Sequence, residues 1–198
     1  MHISEGVLSG PVLLGGALLS GGGIALGLRE IKMEDLPKVA ILSSGFFVAS
    51  LIHIPVGPTS THLVLNGLMG LLLGFKAFPA IFVALLLQGL LFQFGGLTTL
   101  GVNTFNMATP AVVSYFLFRT LLKKEKKASV FVGGALGGGF SVLMGALLTS
   151  FALLWTEKSF RAVAITFFLM HLPLALLEAL ITGFILTYLK KVKPEVLK

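Results

Sequence analysis

Residues 54–76 read IPVGPTSTHLVLNGLMGLLLGFK. The apolar part, 62–75, is about 14 residues, which as a helix rising 1.5 Å per residue spans ~21 Å. The hydrocarbon core of a bilayer is ~30 Å thick, so this segment is too short to cross alone. The sequence therefore predicts a helix that starts inside the membrane, with the Pro55–Gly57–Pro58 loop dipping in ahead of it. Irregular backbone at that depth is tolerated only where it is buried in protein or lines a cavity. A loop of this kind that ends on His62 points to a site.

Six further apolar runs flank this segment, at 11–28, 38–55, 78–95, 105–122, 129–155 and 163–189. The expected fold is all-α: a polytopic bundle of about seven transmembrane helices forming one domain over 1–198. Composition agrees, with 56% hydrophobic and 12% charged residues and a mean hydropathy of +0.99. A soluble domain carries roughly a quarter charged residues. Basic residues sit in the short connections. Placing the amino terminus outside leaves only Lys158 and Arg161, of 15 Lys and Arg, on the outer side. That bias predicts an outer amino terminus and a cytoplasmic carboxyl terminus.

The same features exclude other classes. The net charge of +7 reads as a topology signal, so no nucleic-acid partner is expected, and membrane lipid is the surrounding partner. With no cysteine there are no disulfides or thiolate sites. No Gly-Lys-Ser/Thr follows the glycine runs at 15–23 and 133–140, so the chain carries no Walker A ATPase motif. Those glycines read as surfaces for close helix approach in lipid. An intramembrane hydrolase is disfavoured: HExxH is absent, and Ser60 and His62, two apart on a loop, do not form a nucleophile–base pair. The chain is expected not to be an enzyme.

The four histidines, His2, His53, His62 and His171, all fall in the outer half of this topology. Ionisable groups within a membrane are functional candidates because burying them is costly. The chain opens MHISEG, with no basic residue before the first apolar run, so no secretory n-region is expected. The bulky second residue is expected to preserve Met1. A free amine, the His2 amide nitrogen and the His2 imidazole can chelate one ion at three corners of a square plane, a donor set suited to Ni(II) or Cu(II). His62 or His53 can supply the fourth nitrogen.

MHISEG, GPTSTHLVLNGLMG (57–70), GGLTTLGVNTFNM (95–107) and HLPLALLEALITGF (171–184), in this order along nearly the whole chain, resemble the CbiM/NikM family. These are the substrate-binding membrane components of energy-coupling-factor importers for cobalt and nickel. The resemblance implies that Met1, His2 and His62 hold Ni2+ or Co2+ as transported substrate. It also implies a coupling transmembrane protein and two ATPase subunits as partners, often with a small extra membrane subunit. In the commoner family pattern the loop histidine is followed by Pro-Thr-Gly, whereas Leu63 follows His62 here.

Supporting candidates are His53, Ser60, Asn103 and Glu5. Asn103 either orients a metal-bound histidine from outside the donor set or caps the fifth helix. Glu5 is expected to bond backbone amides and hold the amino-terminal segment, with Gly6 making the turn. Gln88 and Gln93 read as interhelical hydrogen-bonding groups. His171 and Glu178, seven apart on one helix face, read as a structural pair or a proton relay, with Glu178 too deep for an outer site. The rival function is a self-sufficient proton-coupled metal transporter using those two residues.

Overall fold

A computed structural model describes residues 1–51, 53–56 and 59–197, with side chains for 1–51 and 61–197. Among these described residues, α-helices and one hairpin follow in chain order: α1 (Gly10–Glu30), α2 (Leu36–Ala49), β1 (His53–Val56), β2 (Thr59–His62), α3 (Asn66–Leu73), α4 (Ala77–Phe92), α5 (Leu100–Leu122), α6 (Lys127–Thr156) and α7 (Arg161–Val192). α7 packs along α6, α6 along α5, and α5 against α1, α3 and α4. Four stretches are long and apolar enough to cross a membrane by length and composition: Gly10–Glu30, Asn66–Phe92, Lys127–Thr156 and Lys158–Val192. The protein is thus an all-α, multi-pass membrane protein.

The short third helix is the pillar of the bundle. All eight residues of α3 are buried, and 67% of the apolar window through α3 and α4 is buried, against 17% for α1. Glycine makes that depth possible. A Cβ on Gly70 would lie 1.8 Å from the Ala111 carbonyl oxygen of α5, and one on Gly67 would lie 2.6 Å from the Gly137 oxygen of α6. The 133–140 run meets its neighbours as small residues should, since Gly138 abuts the Glu178 carbonyl of α7. In the 15–23 run only Gly16 and Gly23 are pressed against another helix; Gly15, Gly21 and Gly22 face open space.

Three boundaries differ from expectation by four residues or more. The second helix was expected to reach 55 but ends at Ala49, where Ser50 Oγ donates to the Phe47 carbonyl (2.9 Å). Residues 53–56 and 59–62 instead pair antiparallel, with His53 opposite His62 and Pro55 opposite Ser60. α3 starts at Asn66, not 62, after Leu65 takes a left-handed conformation (φ 52°). α5 starts at Leu100, five residues early, so the block expected as an outer loop already winds into helix.

The connections collect at two poles. One holds the amino-terminal segment, the hairpin, the 93–99 loop and the α6–α7 connection, with Ser9 N–H donating to Thr156 Oγ1 (3.3 Å). The other holds residues 31–35, 74–76, 123–126 and 193–197, where Lys76 pairs with Asp35 (2.6 Å).

Candidate metal centre

The amino-terminal segment is a plug inserted into the bundle. Met1, His2 and Ile3 are 0%, 3% and 0% exposed. The Met1 side chain joins the main apolar core with Met107, Val142 and Phe167, and a Cβ on Gly145 would touch its sulfur. Polar clamps fix the plug's backbone. Asn103 accepts from Ile3 N–H (2.9 Å) and donates to Ile3 O (3.0 Å), which Thr99 Oγ1 also bonds (3.0 Å). Glu5 N–H donates to Gly95 O (2.9 Å), and the Glu5 carboxylate accepts from the Thr98 N–H (3.2 Å) and hydroxyl. Gly6 turns the chain at φ 75°. A Cβ on Gly96 would lie 2.0 Å from Glu5 Oε2, so the Gly95–Gly96 pair is the space the plug occupies.

Three nitrogens meet at its tip. The Met1 amine hydrogen-bonds His62 Nε2, and His62 Nε2 lies 3.1 Å from His2 Nδ1. The partners of the rings assign their tautomers. His62 Nδ1 sits 2.7 Å from Leu63 O, so Nδ1 carries the proton and Nε2 the lone pair. Gln88 gives its amide nitrogen to Ser50 Oγ, leaving Oε1 to face His2 Nε2 at 2.7 Å. His2 Nε2 is therefore the donor, and its lone pair is on Nδ1. Two imidazole lone pairs thus point at the same small space, beside the amine. Burial holds the Met1 amine well below its ordinary range. Burial, then the nearby terminus and His2, does the same to His62. Burial thus favours the neutral form of both the amine and the His62 ring. Among the described residues no three His, Cys, Asp or Glu side chains form a metal-binding group.

The family's profile, described as the cobalt uptake substrate-specific transmembrane region and designated CbiM, matches residues 2–196. The chain belongs to the CbiM family. Among CbiM-like relatives, a Haemophilus influenzae protein named for metal transport is 45% identical over 202 residues, covering 100% of this chain and 97% of its own. The cobalt transport protein CbiM of Kyrpidia tusciae is 34% identical, covering 100% and 86%. An Archaeoglobus fulgidus protein named as a fused nickel transporter, NikMN, is 28% identical, covering 100% and 68%. The crystal structure of a truncated transition metal transporter superposes with a TM-score of 0.78 at 28% identity, covering 96% of this chain and 99% of that one.

For this CbiM-family chain the structure brings Met1, His2, His62, Asn103 and Glu5 together. His53 lies opposite His62 in the hairpin register and Ser60 opposite Pro55; the side chains of both lie outside the described residues. Asn103 does not cap α5, since Thr99 precedes that helix. Its amide holds the Ile3 peptide from both sides. The residue that orients His2 is Gln88, read from sequence only as an interhelical group. Its signal was present in α4, where it is a fully buried amide in an otherwise apolar helix. His171 and Glu178 do not form the expected pair. His171 reaches Thr61 Oγ1 (3.3 Å) and Glu178 the Val64 and Leu65 amides, so the Glu178 carboxylate is not too deep to meet the His62 segment.

Proposed function

We propose that this cobalt/nickel transport membrane protein is the capture subunit of an energy-coupling-factor importer, taking Ni2+ or Co2+ from the outer face of a prokaryotic plasma membrane. The observation that carries this reading is the contact of His62 Nε2 with both the Met1 amine and His2 Nδ1. In a square-planar chelate of amine, amide and imidazole, the fourth corner adjoins the amine and the imidazole and lies diagonal to the amide. With metal–nitrogen bonds of ~2 Å, adjacent corners are ~2.8 Å apart. His62 Nε2 occupies that relation to the other two donors. Donors whose lone pairs already converge are preorganised, so capture costs little rearrangement.

In this reading the amide nitrogen of His2 becomes the fourth donor by losing its proton, while Gln88 and the Leu63 carbonyl keep the ring protons on the outward nitrogens. Energy for transport comes from partners: a coupling membrane protein and two ATPase subunits, often joined by a small membrane subunit. Basic connections at the pole opposite the plug face the cytoplasm in this orientation.

Vesicle flux separates this from self-sufficient transport. Vesicles holding the chain alone are expected to bind 63Ni(II) without accumulating it under an imposed proton gradient. Co-reconstitution with the coupling protein and ATPases is expected to give ATP-dependent uptake. Proton-driven accumulation by the chain alone would overturn the assignment.

A further inference from the structure

The Glu178 carboxylate is 0% exposed in the middle of α7. Burying such a group in a membrane protein is costly, so its partners reveal what it serves. Its Oε1 accepts from Val64 N–H at 2.5 Å and Leu65 N–H at 3.0 Å, and its Oε2 from Leu65 N–H at 3.1 Å. Those amides precede α3, whose first residue is Asn66. Helix N-termini leave backbone donors without intrahelical partners, and none of the capping residues ordinarily found in sequence is present, since Leu65 stands at the cap. A carboxylate from another helix supplies the missing acceptor. It also holds Leu65 in the left-handed conformation (φ 52°), which a branched side chain adopts only when its surroundings enforce it.

Two turns nearer the start of α7, His171 sits fully buried. Its Nδ1 donates to Phe167 O (2.7 Å), which leaves Nε2 to accept from Thr61 Oγ1 at 3.3 Å. α7 therefore grips the chain just before His62, at Thr61, and just after it, at Val64 and Leu65. Between these grips lies Leu63, whose carbonyl fixes the His62 ring. The frame behind the grip is stiff, because α3, α6 and α7 touch through Gly67, Gly137 and Gly138 with no room for a methyl group.

We infer that Glu178, assisted by His171, is a positioning residue for the metal site: it sets where His62 presents Nε2, and it touches neither the metal nor its donors. This rests on the capture reading above. Outer groups that orient metal ligands are typically worth 10–100-fold in affinity, and Glu178 acts at one further remove, through the backbone.

The test uses purified full-length chain in detergent, titrated with Ni(II), with Cu(II) electron paramagnetic resonance to count coordinated nitrogens. Glu178→Ala is expected to weaken Ni(II) binding about 10-fold or more and to change the four-nitrogen Cu(II) spectrum to the one that His62→Ala gives. Added to His62→Ala, it is expected to cost less than about twofold more, because two residues acting through one contact are non-additive. Glu178→Gln, which retains one acceptor oxygen, is expected to fall between. An unaltered affinity and spectrum in Glu178→Ala, or a full further loss on top of His62→Ala, would overturn the inference. Where Glu178→Ala fails to fold, Glu178→Gln decides: unaltered affinity and spectrum there also overturn it. Absence of tight binding in the unaltered chain would overturn the capture reading, and this one with it.

Discussion

The two poles of the bundle handle polar groups in opposite ways. At the plug pole, hydrogen bonds converge from sequence positions far apart, the donors are buried, and burial keeps the Met1 amine and the His62 ring neutral. At the other pole the groups stay charged. Asp35 lies below its usual range because Lys76 and the Lys32 amide bond it, and both partners of that ion pair are 22% exposed. Arg119 bonds and overlies Tyr115 close to the same connections. In the proposed capture reading, the pole that binds a cation through nitrogen lone pairs has to exclude protons, and the basic pole that sets orientation has to keep its charges. On that reading, dehydration at one end of a bundle does the work that acidic ligands do in other metal sites.

Lowering the pH should separate the poles most widely. Sign matters here. A docked amine whose ordinary value is lowered binds fewer protons than a free one, so docking of the plug is favoured as pH rises and weakened as pH falls below about 8. Within the docked plug burial favours the neutral amine and the neutral His62 ring, leaving the His2 amide as the proton source in the capture reading. Nickel binding is therefore expected to release one proton and to weaken about tenfold per pH unit between 8 and 6, steepening where the plug begins to undock. Calorimetry in buffers of different ionisation enthalpy counts the proton. A carboxylate site would be flat over that range and lose affinity near pH 4–5, so a flat profile breaks the comparison.

The smallest effect belongs to the opposite pole. Asp35→Asn removes the ion pair with Lys76, and a partly exposed pair of this kind contributes ~0–1 kcal/mol. Thermal unfolding in detergent is expected to shift by only a few degrees, with nickel affinity unchanged. A marked loss of affinity would mean that the two poles are coupled through α3, and the contrast drawn between them would need to be replaced by a single network.

How much of this was legible in sequence follows from which signals are local. Apolar run lengths and the basic connections predicted a helical membrane bundle, and the brevity of 62–75 marked α3 as unusual before its complete burial was seen. MHISEG and its match to a family pointed to Met1, His2 and His62. The hairpin was missed because β1 and β2 are four residues each and the apolar run of α2 continues into them, so helix and strand read alike there. Gln88 and Glu178 were seen as polar groups but given other tasks. Their partners, His2 and Val64–Leu65, lie 86 and 113–114 residues away in the chain, a distance over which a periodic pattern carries no information. Asn103 was misplaced by the five-residue error at the start of α5.

The central claim is that the terminal amine of Met1 is a metal donor, held in place by the plug. It is tested most directly by moving that amine. Chain bearing one uncleaved residue ahead of Met1, and chain acetylated at Met1, should be titrated with Ni(II) and Co(II) beside the unaltered protein. Extension changes the chelate ring and pushes an extra residue into a space where Met1 is 0% exposed, and acetylation removes the lone pair. Both are expected to abolish tight binding while the protein stays folded. Undiminished affinity in either would contradict the account.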